Sequence, residues 1–306
     1  MKSIQDIKGL VVAPFTAFKA NGDLDLERVA AQAQYYKDNG IAGVFACGST
    51  GEGPALTVEE KKALMAEWAR CRDDRFAVIC FLGGTSVREC QDLALHAQRV
   101  GCDAVAMTAP YYQRPASVED LALALAEVAS KVPGMPFYFY HIPVLTKVSF
   151  PMVRLLETVD GMIPNFAGIK YTDENMMDYH LCLEYKDRKY NIMWGRDEMY
   201  LETLAIGGRT FVGSTYGYMA PLYHAVRKAF EAGKADEAAA LQFEAVRLIT
   251  LLDKYGSGAG KAFMKAAGLD LGPCRRPLRT MDPDTYETFV RDLSGTRFEE
   301  FKNTRK

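Results

Sequence analysis

A lysine sits inside the stretch Asn165–Glu174, NFAGIKYTDE, where its neighbours from Phe166 to Tyr171 are otherwise apolar. Glycine with β-branched and aromatic residues makes this segment a short buried strand. An ammonium group is costly to bury without a partner, so Lys170 calls for a reason. A lysine in an apolar enclosure gives up its proton more readily than one in water. The free amine adds to a ketone to form a Schiff base. A protonated imine draws electrons, so a C–C bond beside it can break or form. Other residues along the chain suit such chemistry. Tyr140, in YHIP, offers a hydroxyl that can shuttle a proton. Ser49 and Thr50, in CGSTGEG, place two hydroxyls in a glycine-rich turn whose N–H groups can hold a carboxylate. Thr172 follows Lys170 on the same strand face. Asp197 and Glu198 in GRDE, Ser214 in GSTYG and the Tyr111–Tyr112 pair in APYYQRP add carboxylates and hydroxyls.

Each of these has a plainer reading. A lysine near a strand end can extend its head to solvent. Tyr140 and the Tyr111–Tyr112 pair can be packing residues. Ser and Thr in GSTGE and GSTYG can cap helices, and Asp197 and Glu198 can favour a helix start. What weighs against the plain readings is that all of these residues follow, or end, predicted strands.

The strands start at regular intervals. Apolar runs begin at Gly9, Gly43, Ala77, Ala104, Pro136, Phe166, Asn191 and Thr210, about 19 to 34 residues apart, enough for a crossover helix each time. The intervening segments have helical periodicity. Leu24–Asn39 is one, stopped by Gly40. Another opens with Thr57 and Glu60 in a capping box, a third with Ser86 and Glu89 before ending at Gly101, and a fourth with Ser117 and Asp120. Eight such units predict a parallel (β/α)8 TIM barrel over residues 1–232. A doubly wound open sheet is the competing architecture, but no GxGxxG follows the first strand. Residues 233–306 are expected to form a helical C-terminal extension packed on the barrel as part of one structural unit. Helices are expected at Ala235–Leu252 and Lys261–Ala267, with Pro273, Pro277 and Pro283 punctuating the rest.

A barrel puts chemistry at the C-terminal ends of its strands, where the polar motifs fall. Strand alternation adds a prediction. If Lys170 points inward, so do Gly168 and Thr172, and Ala167, Ile169 and Tyr171 face the helices. Tyr140 inward sends Phe137 and Phe139 outward.

Composition narrows the function. The chain has 306 residues, 49% hydrophobic and 25% charged, with a net charge of −2. Without a basic block, nucleic-acid binding is not expected. The N-terminal stretch carries Asp6 and Lys8 ahead of its apolar run and reads as neither signal peptide nor anchor, and no run reaches membrane-helix length. Seven scattered cysteines without a CxxC pair fit a reduced, cytoplasmic setting. His96, His141, His180 and His224 show no ligand spacing, so no metal is expected.

GSTGE, YHIP, GIKYT, GRDE and GSTY, in that order, resemble the pyruvate-dependent class I lyases and synthases of the N-acetylneuraminate lyase and dihydrodipicolinate synthase family, from about Lys8 to at least residue 232. The resemblance implies a Schiff base on Lys170 with no added cofactor, Tyr140 as acid and base, Ser49 joining it in a proton relay, and Thr50 with adjacent N–H groups on the α-carboxylate. It implies a homotetramer in which Tyr112 reaches a neighbouring subunit's site; Tyr111 is the alternative. Relatives that use aspartate semialdehyde carry an arginine after YxxP, where this chain has Val144 and Leu145. YHIPVLT and the pair Asp197–Glu198 instead resemble the branch that cleaves sialic acids, with Asp197 and Glu198 on the polyol tail and Thr172, Gly195 and Ser214 at matching substrate positions. Arg196, often aromatic in that branch, and Gly217, where an amide is usual, depart from the pattern.

The expected reaction is thus reversible cleavage of N-acetylneuraminate to N-acetylmannosamine and pyruvate. An aldolase or dehydratase for another 2-keto-3-deoxy sugar acid is the nearest alternative, followed by 4-hydroxy-tetrahydrodipicolinate synthase. A phosphosugar enzyme fits less well, since Gly207–Gly208 precedes the last strand and few basic residues accompany GSTYG. A non-catalytic ligand-binding barrel would need neither Lys170 nor Tyr140.

Overall fold

The computed structural model describes residues 7–305; Asp6, part of the N-terminal reading, lies outside the described residues. Eight strands run β1 Gly9–Val12, β2 Gly43–Ala46, β3 Ala77–Gly83, β4 Ala104–Thr108, β5 Phe137–His141, β6 Phe166–Tyr171, β7 Asn191–Trp194 and β8 Thr210–Gly213. They are parallel, pair in sequence order, and close β8 onto β1. Between them run α1 Arg28–Asp38, α2 Val58–Arg70, α3 Val87–Val100, α4 Val118–Ala129, α5 Pro143–Thr146, α6 Met152–Val159, α7 Met176–Glu184 and α8 Tyr200–Ala205. After β8 come α9 Tyr216–Glu231, α10 Ala235–Tyr255, α11 Ala259–Ala266, α12 Pro283–Ser294 and α13 Phe298–Phe301. This is the expected TIM barrel with C-terminal helices. No helix among the described residues is long and apolar enough to cross a membrane.

Local chemistry sets the helix starts. Thr57 and Glu60 form the reciprocal capping box of α2. Ser86 and Ser117 each accept the N–H three residues on, from Glu89 and Asp120, and α3 stops at Gly101 with φ +87°. Two expectations needed correction. The first helix begins at Arg28 instead of Leu24, because Leu24 pairs with Phe18 in an isolated antiparallel bridge. Pro283 does not interrupt structure; it stands in the first turn of α12, behind the Asp282 N-cap, where a missing N–H costs nothing.

The side chains sort into two cores. One fills the barrel, with Val11, Phe45, Ile79, Phe81, Tyr138, Tyr140, Met193 and Val212 among its members. The other lies between strands and helices and includes Phe137, Phe139, Ile169 and Tyr171. The predicted alternation therefore holds for β5 and for Ile169 and Tyr171, but Ala167 faces the barrel interior. The reason is a register shift against β5, where Phe137 pairs Phe166 and Tyr138 pairs Gly168. Gly168 takes φ +154°, and a Cβ there would stand 1.8 Å from the Asn191 carbonyl oxygen. An extra residue in one strand reverses the alternation across it.

The C-terminal helices join the barrel through α9. That helix bends at Met219, before Pro221. Asn303 takes up backbone groups around the bend, accepting from Ala220 N–H at 2.7 Å and donating to the Tyr216 carbonyl at 3.1 Å.

Candidate active site

Beyond the β6 bulge, Lys170 points into the barrel, level with Tyr140 on β5 and Met193 on β7. Both Lys170 and Tyr140 are 4% exposed. The Lys170 Nζ stands 4.0 Å from the Tyr140 ring centroid and 4.2 Å from that of Phe45, and among the described residues it has no carboxylate partner. An amine held between ring faces keeps its lone pair free of ionic partners while remaining close to a phenol. Tyr140 is itself held edge-on by Phe45 at 5.4 Å and Phe81 at 5.6 Å. Phe45 was not among the residues expected at the site, although it stands four residues before Ser49 on a strand face that alternation could have marked.

A cavity of about 360 Å³ opens over Tyr140, lined also by Ser49, Phe81, Thr108, Tyr111 and Ile142. Thr108 ends β4 directly beside Tyr140. It is buried, and its hydroxyl has no hydrogen-bond partner. Sequence reasoning overlooked it too; its signal was position, since the last inward residue of strand four must lie against the fifth. Tyr111 faces this cavity, whereas Tyr112 points away and is 86% exposed.

A second recess, of about 220 Å³, lies on the other side of Ser49 and brings in Thr50 and Ser214. The turn carrying Ser49 and Thr50 is fixed from below by the Thr16 hydroxyl, which donates to the Gly51 carbonyl at 2.6 Å.

Glycines let the strand ends approach one another. A Cβ on Gly195 would lie 2.0 Å from the Thr172 hydroxyl oxygen, and one on Gly213 would lie 1.7 Å from Asp197 Oδ1. Thr172 and Asp197 are thereby seated against neighbouring strands, and Thr172 Oγ1 and Asp197 Oδ1 are buried without hydrogen-bond partners. Such orphaned groups ask for ligand or water. Gly213→Ala is expected to dislodge Asp197 and to lower unfolding free energy by roughly 1–3 kcal/mol, read from the denaturant midpoint.

The other Asp197 oxygen is well satisfied. Oδ2 accepts from the Thr215 N–H at 3.1 Å and the Thr215 hydroxyl at 2.7 Å. With its proton committed there, Thr215 Oγ1 accepts from the Tyr223 hydroxyl at 2.8 Å. Burial raises the Asp197 pKa to about 6, and the two Thr215 bonds temper the rise. Gln242 of α10 donates to the Glu198 carbonyl at 2.8 Å and the Asp197 carbonyl at 3.3 Å. Glu198 faces Arg196, whose Nε lies 3.2 Å from Glu198 Oε1 and whose guanidinium also binds Glu174. The charged Arg196 therefore bridges the loops after β6 and β7 where an aromatic side chain was the more familiar occupant. Gly217 lies in the first turn of α9, where a Cβ would make ordinary contacts with Met264, Val12 and Tyr36.

The dihydrodipicolinate synthetase family pattern matches residues 6–296, and the chain belongs to that family. It is 37% identical over 278 residues to N-acetylneuraminate lyase A of Xenopus laevis, spanning 89% of this chain and 90% of the relative. Among solved structures, the N-acetylneuraminate lyase of Proteus mirabilis superposes with a TM-score of 0.92 at 31% identity, covering 95% of this chain and 99% of that one. A Ruminococcus gnavus sialic acid aldolase, solved as its catalytic lysine mutant, gives a TM-score of 0.88 at 25% identity, covering 98% and 100%.

Proposed function

We propose that this protein is a Schiff-base aldolase that cleaves N-acetylneuraminate reversibly to N-acetylmannosamine and pyruvate. The observation that carries the reading is Lys170, buried in the barrel against Tyr140 with no carboxylate to neutralise it. Two similar proteins bear the names N-acetylneuraminate lyase and a third sialic acid aldolase.

The Lys170 amine adds to C2 of the ring-opened sugar acid, and loss of water gives the imine. Tyr140, deprotonated through a relay with Ser49 and with Tyr112 of a neighbouring subunit, takes the proton of the C4 hydroxyl. The C3–C4 bond breaks and its electron pair moves into the imine, leaving the C4 aldehyde of N-acetylmannosamine and an enamine on Lys170. Protonation at C3 and hydrolysis release pyruvate and restore the amine. Thr50 and the turn's N–H groups hold the α-carboxylate. Asp197, Glu198, Thr172, Ser214 and the backbone at Gly195 hold the hydroxylated tail. The covalent chemistry needs no cofactor beyond the lysine. Tyr112, exposed on the loop after β4, is free to enter a neighbour's site in a homotetramer. The seven free thiols suit the cytoplasm. Residues 1–232 and 233–306 act as one unit in this reading, with Gln242 of the extension supporting the tail-binding loop.

Val144 and Leu145, exposed at the cavity mouth after Tyr140, offer no cation to a second carboxylate, which disfavours aspartate semialdehyde as the partner of pyruvate. The test is coupled pyruvate release from a panel of sialic acids and other 2-keto-3-deoxy sugar acids. N-acetylneuraminate should give the highest kcat/KM; a higher value on a shorter sugar acid would move the assignment to the other aldolases.

The Asp197 carboxylate sets a pH dependence. As the anion it accepts sugar hydroxyls; protonated, it loses acceptor capacity. KM for N-acetylneuraminate should fall as pH rises through about 6. Asp197→Asn should show a raised KM with no inflection there. The same titration runs the other way for folding. A carboxyl whose folded pKa lies above its unfolded value contributes stability when protonated, and that contribution fades as pH rises from 3.8 to about 6. A pH-independent KM across this range in the parent protein would remove Asp197 from substrate binding.

A further inference from the structure

The turn that presents Ser49 and Thr50 is not relaxed. Cys47 and Glu52, neither a glycine, both lie in the left-handed backbone region, at φ +61° and +56°. The turn also folds back on itself, since a Cβ on Gly53 would stand 1.9 Å from the Cys47 carbonyl oxygen. A backbone held this way needs outside support.

That support comes from the C-terminal helices. The Glu52 side chain is buried, with Oε1 2.8 Å from Lys261 Nζ of α11; the two side chains are 3% and 6% exposed. Glu52 Oε2 accepts the Arg275 N–H at 2.7 Å, and Lys261 donates to the Pro273 carbonyl at 2.5 Å. Phe18 lies between the two cations, its centroid 4.4 Å from Lys261 Nζ and 4.4 Å from Arg275 Cζ. The Arg275 guanidinium reaches onward to Glu60, the capping-box residue of α2, at 2.5 and 2.7 Å. Lys261 borders the recess shared with Ser49, Thr50 and Ser214. A surface pair between flexible side chains would contribute little; a buried pair with its remaining valences satisfied fixes geometry, and breaking it leaves an uncompensated charge.

We propose that Lys261 is a positioning residue for ligand binding, which, through its buried ion pair with Glu52, holds the Ser49–Thr50 turn in the shape that receives the ligand's carboxylate. The inference rests on the reading above for what the turn binds, and it adds a residue from the far end of the chain that touches no reacting atom.

The decisive experiment measures borohydride trapping on Lys170 against pyruvate concentration, in the full-length protein, alongside thermal unfolding. Lys261→Met should raise the half-saturating pyruvate concentration roughly tenfold, with the trapping rate at saturation within about twofold of the parent's. Lys261→Arg should restore most of the affinity. Glu52→Gln combined with Lys261→Met should be no weaker than the worse single variant, since a pair acting as a unit is lost once. Lys254→Met, which removes an exposed pair with Asp292 in the same extension, should leave the pyruvate dependence unaltered. Parental pyruvate dependence in Lys261→Met, or simple additivity in the double variant, overturns the proposal. Amide hydrogen exchange of the ligand-free protein tests it apart from catalysis and extends to Glu52→Gln should Lys261→Met fold poorly. Exchange over residues 47–53 should quicken selectively, and unchanged protection there counts against the proposal. Failure of the parent protein to trap pyruvate at all would instead sink the aldolase reading.

Discussion

Lys170→Ala is expected to abolish pyruvate trapping by borohydride and to reduce kcat by roughly 10⁴-fold or more, because the covalent route disappears with the amine. The fold should survive. The amine makes ring-face contacts with Tyr140 and Phe45 but has no ionic partner among the described residues, so its removal strands no opposite charge. Unfolding temperature should stay level or rise, since an ammonium in an apolar enclosure is held against its preference for water. Lys170→Arg separates charge from nucleophilicity: the guanidinium stays charged and does not form the imine, so it too should be inactive. A mass increase on a pyruvate–borohydride peptide containing residue 170, present in the parent and missing in both variants, is the measurement. Normal turnover in Lys170→Ala would end the Schiff-base assignment.

Tyr140→Phe should cut kcat by roughly 10²–10³-fold while leaving KM and stability close to the parent's. The ring is what packs against Phe45, Phe81 and Lys170, and phenylalanine keeps the ring. Only the hydroxyl is lost, and with it the group proposed to accept the C4 proton. Trapped imine with pyruvate should still form, because the amine is intact. That split, imine formation without cleavage, distinguishes a proton-transfer residue from one that merely shapes the cavity. Unchanged kcat would remove Tyr140 from the chemistry, and the orphaned Thr108 hydroxyl beside it would be the next group to examine.

The clearest signals in the chain were local. Alternating apolar runs and capped helices marked the barrel, because a period of two or of 3.6 and a capping hydroxyl are properties of neighbouring residues. Lys170 stood out because its neighbours were apolar, and Tyr140 because parity put it on the inward face of its strand. The β6 bulge was less legible. It turns on Gly168 meeting the Asn191 carbonyl of the next strand, a contact no local pattern records. Thr108 and Phe45 escaped notice for a related reason: an ordinary threonine or phenylalanine becomes a site residue only through what the adjoining strand places beside it. Tyr111 and Tyr112 could not be separated by type or spacing. The folded loop divides them, one toward its own cavity and the other into solvent.

By itself, then, the sequence determined the order of the elements, the direction of Lys170 and the end of the barrel where polar groups gather, since these follow from periodicity and from the rule that strand ends carry the site. Tertiary structure decided the depth and pairing of each group. Asp197 is raised to about 6 because closure buries it beside Gly213 and Thr215. Glu52 meets Lys261 across more than two hundred residues because α11 returns to the mouth of the barrel. Burial and long-range charge pairing depend on distances through space, and those exist only once the chain has closed.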